Sequence, residues 1–404
     1  MFYLGIDVAS SSHKFLVINE QGEKLSHSFS LDNSSDGFNS LITKLEKFSV
    51  SKENLICGLE ATGNFWENIY EFLATNGFKV VLLNPFYTNR FRDALRKKAK
   101  TDDIDALVIC QLLRTGEYGN CIVPDEIIQT LREFVKIRFE FIKDQQNYKR
   151  QALALMSLIF PEFNRTAVKN PFAIASTAIL KQFPTAKDIA MTKPKHIEKI
   201  VRHIQGNNFN TDEIQQLIDT AKSSCYSGKA QLARGSTLRM LLSHIENFAA
   251  DIQKLNEQIE SILSPQEPDD SFPGENLLSI AGVGKKTLAA VLAAIGKDGA
   301  TFSSAKAIVG HIGFYPQIYE SGQTRRDNKI SKRGPSYLRW AIYMAAVASL
   351  KHNPEMRTLY HKKLSQGKTE KQSLICVGKK LIQMMLAMLK SGQSYNPARV
   401  FVNC

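Results

Sequence analysis

The sequence predicts an α/β unit followed by a largely helical remainder, and three observations predict it. Short segments of alternating apolar residues crowd the N-terminal part. Two long stretches in the middle repeat apolar positions at helical spacing. Glycine-rich joints then separate further helical patterns.

Residues 2–8 read as a strand with Phe2, Leu4, Ile6 and Val8 on one face. Residues 13–19 make a second strand and residues 24–30 a third, and the polar turns at 9–12 and 20–23 suit an antiparallel meander. A helix is expected over 35–48, a strand over 55–60, a helix over 65–75, a strand over 79–84, and mostly helix over 88–113. Three meander strands followed by strands alternating with helices describe a ribonuclease H-like layout.

In the middle, Leu131, Phe134, Val135, Ile137, Phe139 and Ile142 recur at three and four within residues 125–161. Leu238, Leu241, Leu242, Ile245, Phe248, Ile252, Leu255, Ile259 and Ile262 do the same within 235–263. Two long helices pairing as an antiparallel coiled coil are expected, with a small helical insertion at about 164–234. Residues 264–273 read as a linker. Residues 277–296 read as helix, Gly-x-Gly turn and helix, a helix-hairpin-helix-like pattern, and after Pro335 the pattern is helical nearly to Ser391. The expected domains are 1–122, 123–265 and 266–404.

A chain of 404 residues suits two or three domains. With 43% hydrophobic and 23% charged residues the composition is globular, neither disordered nor fibrous. The net charge of +13 attracts polyanions, nucleic acid first among them. A basic protein with no acidic partner is the plainer reading. The six cysteines form no Cys-x-x-Cys pair, which argues against zinc and disulfide frameworks and suits a reducing cytosol. No signal peptide precedes the first strand, and apolar runs such as 342–350 are too short for a bilayer, so no membrane partner is expected.

Asp7 falls on the strand face opposite Leu4 and Ile6, and Glu60 ends the fourth strand; each follows a glycine by two residues, which is expected to leave that face open. In Lys100-Thr101-Asp102-Asp103-Ile104-Asp105, the acids Asp102 and Asp105 share one helix face and Asp103 points away. Asp7, Glu60, Asp102 and Asp105 together suit two divalent cations, Mg²⁺ or Mn²⁺, of the kind that stabilises both the attacking and leaving oxygens in phosphoryl transfer. Plainer readings exist: Asp102 and Asp103 also suit a first turn capped by Thr101, and Glu60 a strand-end salt bridge. Asp7 is the hardest to explain plainly, because it interrupts an apolar strand.

Arg90, Arg92, Arg96, Lys97, Lys98 and Lys100 precede the helical acids and read as a phosphate-binding ridge or a solvated helix face. Gly282 and Gly284 with Lys285 and Lys286 suit backbone-phosphate binding at a helix start, or a tight turn between packed helices. Ser321, Arg325, Arg326, Ser331, Lys332, Arg333 and Arg339 form a dense run of serine and cations. A serine nucleophile needs such a cradle. On residue type alone, any serine here is a loop or capping residue.

From these residues the chain resembles the IS110-type transposases, the group that includes the Piv site-specific DNA invertases. The resemblance runs through Gly5-Ile6-Asp7, Glu60-Ala61-Thr62-Gly63, Lys100-Thr101-Asp102-x-x-Asp105-Ala106, Ala281-Gly282-Val283-Gly284, Phe302-Ser303-Ser304 and Gly313-Phe314-x-Pro316. It continues through Ser321-Gly322, Ser331-Lys332-Arg333-Gly334-x-x-x-Leu338-Arg339 and Asn353-Pro354, and so spans almost the whole chain. It implies a RuvC-like domain whose Asp-Glu-Asp-Asp metal site falls on Asp7, Glu60, Asp102 and Asp105. It also implies a transposase domain whose serine, here Ser321, becomes linked to a 5′ phosphate of DNA. Members of the group act as homo-oligomers, dimers or tetramers, joined through the coiled coil with composite sites. Some use a structured bridge RNA as guide, and the setting implied is the bacterial cytoplasm and nucleoid. Ala281 stands where the group usually has Pro, and Phe314 where it usually has Leu; neither change touches the chemistry.

Three other readings stay open at this point. Gly5 to Ser11 followed by Lys14 resembles the first phosphate loop of actin-like kinases, without the glycine that usually follows the Asp. A RuvC-like junction nuclease would need the four acids but not Ser321. A non-enzymatic nucleic-acid binder would tolerate loss of Asp7.

Overall fold

Strands β1 (Phe2–Asp7) and β2 (Ser12–Asn19) form an antiparallel pair with Phe2 opposite Asn19 and Asp7 opposite Lys14. Strand β3 (Phe29–Asp32) adds to β2, and helix α1 (Ser35–Lys47) follows, capped by the Ser34 hydroxyl on the Gly37 N–H. Strand β4 (Leu55–Glu60) lies parallel to β1 with Ile6 beside Leu59. Helix α2 (Trp66–Thr75) leads to β5 (Lys79–Leu83), parallel to β4, and helices α3 (Pro85–Ala94) and α4 (Asp102–Thr115) complete this unit. The sheet order is β3-β2-β1-β4-β5. The mixed sheet is compatible with a ribonuclease H-like domain.

The computed structural model describes residues 1–61, 63–94, 102–118, 123–166, 168, 170–205, 209–264, 272–321, 324–332 and 334–399. They fall into two compact units, Met1–Pro124 and Asp125–Cys404.

In the first unit the period of two sends Leu4, Ile6, Cys57 and Leu59 to one face, against Phe38, Leu41 and Leu45 of α1 and Ile69 and Leu73 of α2. The other face carries α4, with Ile109, Leu112 and Leu113 on Ile56, Val81 and Leu83, and Ala106 and Cys110 on Leu16 and Ile18. Gly5 and Gly58 do not leave this face open, as the sequence suggested; they admit α4. A Cβ on Gly5 would stand 2.1 Å from the Ala106 carbonyl oxygen, and one on Gly58 would stand 2.6 Å from a Leu113 methyl.

The third strand is also displaced from the expected 24–30. Only an isolated bridge joins Lys24 to Ile18 before β3 begins at Phe29. Ser26 donates its hydroxyl to the His27 carbonyl, a local bond that competes with the ladder there, and Ser28 donates to the distant Asp103.

The second unit opens on helix α5 (Glu126–Ile159), capped by Asp125, whose carboxylate accepts from the Ile128 N–H at 2.9 Å. Helices α6 (Ile174–Gln182), α7 (Ala186–Ala190), α8 (Pro194–Val201) and α9 (Thr211–Lys222) follow, and α10 (Gln231–Ile262) returns along α5. The pair is antiparallel: Phe141 meets Phe248, Tyr148 meets His244, and Arg138 Nε donates to Asn256 Oδ1 at 2.6 Å. The four short helices share a core with the pair, built on Phe160, Phe163, Leu180, Leu217, Leu238 and Leu242.

The remainder comprises α11 (Lys285–Ile295), α12 (Ala305–Ile312), strands β6 (Pro316–Ser321) and β7 (Thr324–Ile330), and helices α13 (Ser336–His352), α14 (Pro354–Ser365) and α15 (Glu370–Ser391). The segment before the Gly-x-Gly turn is a five-residue 3-10 turn, Glu275–Ser279, rather than an α-helix. The β6–β7 hairpin replaces what read as a loop between helices. By length and composition α15 could cross a bilayer, which the run at 342–350 could not; half of that stretch is buried, with Val377, Leu381, Ile382 and Met385 in the core.

Candidate active site

Strands β1 and β4 run parallel and side by side, so Asp7 and Glu60 end at the same edge of the sheet. In parallel sheets ligands bind at the carboxyl ends of strands. The third acid arrives because of Gly5. That glycine lets the Ala106 carbonyl touch β1, which brings the first turn of α4, with Asp105, onto the strand two residues before Asp7. Asp105 is 8% exposed.

Helix α3 holds two of these acids. The buried Thr88 hydroxyl donates to Glu60 Oε2 at 2.6 Å. One turn on, an Arg92 guanidinium nitrogen lies 2.8 Å from Asp105 Oδ1, and another donates to Asn89. Asp103 faces away, as its helical position predicts. It pairs with Lys14 at 2.9 Å and accepts from Ser28, and these two contacts hold its carboxyl below the usual carboxylate range.

Asp102 begins α4, and its side chain lies outside the described residues. Among the described residues no three acid, histidine or cysteine side chains converge on one cation position. The donor set is all carboxylate oxygen, which suits hard ions such as Mg²⁺ or Mn²⁺. The Arg92 guanidinium is a stand-in cation on one of its members. The carboxylate chemistry suits a divalent ion, but the described side chains do not by themselves gather around one, and Arg92 already pairs with Asp105.

Of the expected phosphate ridge, Arg90 is exposed on α3 and Arg92 turns inward to Asp105. Arg96, Lys97, Lys98 and Lys100 lie outside the described residues. Thr88 was missed by sequence reasoning. Nothing local marks it, since its partner Glu60 is 28 residues away.

In the second unit Ser321 is the last residue of β6, opposite Thr324 across residues 322–323, and Arg325 and Arg326 lie opposite Glu320 and Tyr319. Side chains over 316–329, Ser321, Arg325 and Arg326 among them, are outside the described residues, as is Arg333. The base of the hairpin is pinned. The Ser331 N–H donates to Tyr315 O and the Lys332 N–H to Gly313 O. Arg339 Nη1 donates to the carbonyls of Ile312 at 2.8 Å and Gly334 at 3.4 Å, one on each side of the hairpin. Gly334 has φ +84°, and a Cβ there would stand 1.7 Å from the His311 carbonyl oxygen. Ser321 thus sits at the end of the ladder and Arg339, expected to meet DNA, holds the base. Lys332 is exposed and has φ 53°.

The Gly-x-Gly turn divides its roles. Gly282, at φ +98°, fits against α13, where a Cβ would meet the Ser349 backbone nitrogen at 2.7 Å. Gly284 caps α11 with nothing within 4 Å of its Cβ position. Lys285 donates to the Ser264 hydroxyl at 2.9 Å and lies over the Phe272 ring, whereas Lys286 is exposed.

Residues 4–161 match a family model described as a transposase, of the IS110 type with a DEDD motif, and residues 274–361 match one described as the transposase IS116/IS110/IS902 family. A pilin gene-inverting protein of Moraxella bovis is 22% identical, over 98% of this chain and 97% of its own length. An uncharacterized protein of insertion element IS110 from Streptomyces coelicolor is 23% identical over 97% and 95%. A putative transposase of the IS117 mini-circle from the same organism is 24% identical over 90% and 88%.

Proposed function

The chain belongs to the IS110 family of transposases, enzymes that act on DNA, and on that premise we propose that it cuts and rejoins DNA with the Ser321 hydroxyl as nucleophile and the N-terminal acids as its partners. Asp7, Glu60, Asp102 and Asp105 would hold Mg²⁺ or Mn²⁺, which supplies positive charge to a scissile phosphate. Ser321 Oγ attacks phosphorus, forming a serine–phosphate ester to the 5′ side as the bond to the 3′ oxygen breaks. One of the carboxylates takes the serine proton, and that proton, passed on through water, reaches the freed 3′ oxygen, which leaves as a hydroxyl. Attack by the 3′ hydroxyl of an exchanged strand on that ester reseals DNA and restores the serine, without ATP. Arg325, Arg326, Lys332 and Arg333 offset phosphate charge during both steps.

The observation that carries this reading is the gathering of Asp7, Glu60 and the first turn of α4 at one edge of the sheet. Placing Ser321 at the tip of a hairpin whose base is pinned suits delivery to acids of another subunit in a dimer or tetramer. The paired α5 and α10 helices are the proposed junction between subunits.

The test is a covalent adduct. The full chain is incubated with its own element's DNA ends and Mg²⁺, denatured, and examined for 5′-linked DNA by gel and mass spectrometry. An adduct that disappears in both Ser321→Ala and Asp7→Ala supports the proposal. Cleavage that persists in Ser321→Ala without any adduct would replace it with a junction nuclease that uses water.

A further inference from the structure

Helices α6 to α9, inserted between the two long helices, have no role in the chemistry proposed above, and their charge is distributed unevenly. α7 and α8 are joined by three residues, 191–193, with Thr185 capping α7 and Pro194 opening α8. They pack on α9 through Ile189, Ile197, Val201 and Leu217, all buried in one core. Ile197 and Val201 fix which face of α8 turns inward. The opposite face carries Lys195, Lys199 and Arg202 within about 60° of arc, with His196 beside them. All four are exposed, as is Lys193 just before the helix.

The neighbouring acids are already engaged. Asp188 accepts from the Thr185 hydroxyl at 2.7 Å, Glu213 accepts from the Asn210 N–H at 2.9 Å, and Asp219 pairs with Lys222 at 3.0 Å. Lys193, Lys195, Lys199 and Arg202 enter no ion pair among the described residues, and Glu198 is the only acid in α8.

This surface selects its occupant. Cations gathered on one exposed helix face without counter-charges attract a polyanion. α8 holds no Phe, Tyr or Trp, so bases splayed from a single strand find no large ring to stack on. A helix of eight residues is about 12 Å long and fits the major groove of B-form DNA, whereas the major groove of an RNA duplex is too narrow to admit it.

We propose that α7 and α8 form a helix-turn-helix docking element for duplex DNA, with α8 lying in the major groove. Lys195, Lys199 and Arg202 meet the phosphates that border the groove, which positions the duplex without reading its sequence. The inference rests on the DNA reading above and uses none of its catalytic residues. It supplies a grip on DNA that does not depend on cleavage.

The full chain is titrated in chelator against a labelled mixed-sequence DNA duplex of about two helical turns, and binding is read by anisotropy over a range of salt. Lys195→Glu/Lys199→Glu should weaken binding by roughly tenfold or more and lower the salt slope by about two. Lys195→Arg/Lys199→Arg should bind like the wild type, which separates lost charge from a disturbed helix. Lys222→Glu/Lys229→Glu makes the same change of net charge at exposed positions off α8 and should leave the slope near wild type. An RNA duplex of equal length should bind equally to the wild type and to Lys195→Glu/Lys199→Glu.

Unchanged DNA binding in Lys195→Glu/Lys199→Glu, an equal loss in Lys222→Glu/Lys229→Glu, the same loss in the arginine variant, or the same loss with the RNA duplex would overturn the docking element. The two readings fail separately. A Ser321-dependent adduct with unchanged binding in Lys195→Glu/Lys199→Glu removes only the docking element, and duplex binding that depends on α8 without any adduct removes only the serine mechanism.

Discussion

The guanidinium of Arg92 lies 2.8 Å from the carboxylate of Asp105, with both side chains largely shielded at 15% and 11% exposure. An arginine expected to meet phosphate is instead the counter-charge of a proposed metal ligand. Removing it takes a close counter-charge from a shielded carboxylate, and breaking comparable pairs costs about 3 kcal/mol. Arg92→Gln should therefore lower the melting temperature in chelator, and saturating Mg²⁺ or Mn²⁺ should restore more of it than the same ion adds to the wild type. Scanning calorimetry with and without the ion measures both. Equal ion responses in the two proteins would show that the cation does not share Arg92's position.

Gly5 and Gly58 make a second, graded prediction. The Cβ of Gly5→Ala meets the backbone oxygen of Ala106 at 2.1 Å, and that oxygen moves only if α4 moves. The Cβ of Gly58→Ala meets a Leu113 methyl at 2.6 Å, which a rotamer change relieves in part. Overpacking of this kind costs about 1–3 kcal/mol. Urea unfolding should place Gly5→Ala at the upper end and Gly58→Ala at the lower. Because α4 carries Asp105, the first substitution should also abolish adduct formation.

The contrast between elements shows what periodicity reports. α5 and α10 each bury one face and showed helical spacing, while β1 and β4 are short, mostly apolar runs covered on both faces, so spacing or run length revealed all four to within a few residues. β6 and β7 read Pro-Gln-Ile-Tyr-Glu-Ser and Thr-Arg-Arg-Asp-Asn-Lys-Ile, with no apolar alternation, and passed for loop. The acids stood out in different ways: Asp7 interrupts an apolar strand, Glu60 ends one, and Asp102 and Asp105 share a helix face. Their partners were not: Thr88 and Arg92 act across folds of the chain, and the role of Gly5 exists only once α4 lies on it. Arg339 read as one more cation in a basic run, because its carbonyl partners Ile312 and Gly334 flank a hairpin that was itself unseen.

His13 predicts a pH dependence. It is fully buried in β2, stacked on Phe38, and its Nδ1 accepts the Ala9 N–H at 3.2 Å. Burial pushes its pKa below the usual histidine value, and a hydrogen bond with Asn33 opposes that in part. A depressed folded pKa means that the unfolded chain binds the proton first. Its contribution is complete above about pH 6.5, the unfolded value, and is lost as pH falls through the folded one. Urea midpoints measured downward from pH 7.5 should decline in the wild type. A His13→Gln protein should begin lower and decline less, and parallel curves would show that another group governs the change.

Ser331 separates a structural serine from the proposed nucleophile. Its hydroxyl is buried without a hydrogen-bond partner among the described residues, while its N–H donates to Tyr315 O. Alanine keeps that backbone bond and removes an unsatisfied oxygen, so Ser331→Ala should be neutral or slightly stabilising, by about 1 kcal/mol or less. Adduct yield should stay near wild type, in contrast to its loss in Ser321→Ala. Loss in both variants would move the chemistry away from the hairpin tip.

Arg339 decides between holding the hairpin and holding DNA. Its Nη1 bonds to Ile312 and Gly334 tie the chain entering β6 to the chain leaving β7. Lysine keeps the charge but puts it on a flexible stem, without the rigid guanidinium plane that aims Nη1 at both carbonyls. If Arg339 positions the arm, Arg339→Lys should cut adduct yield by about tenfold, since small misplacements of a reacting group are costly. DNA affinity and its salt slope should stay near wild type. If Arg339 instead contacts phosphate, Arg339→Lys should retain adduct formation, and Arg339→Ala should weaken binding while lowering the salt slope by about one. Measuring adduct yield and the salt dependence of binding on the same two variants distinguishes an arm that must be aimed from a surface that must be charged.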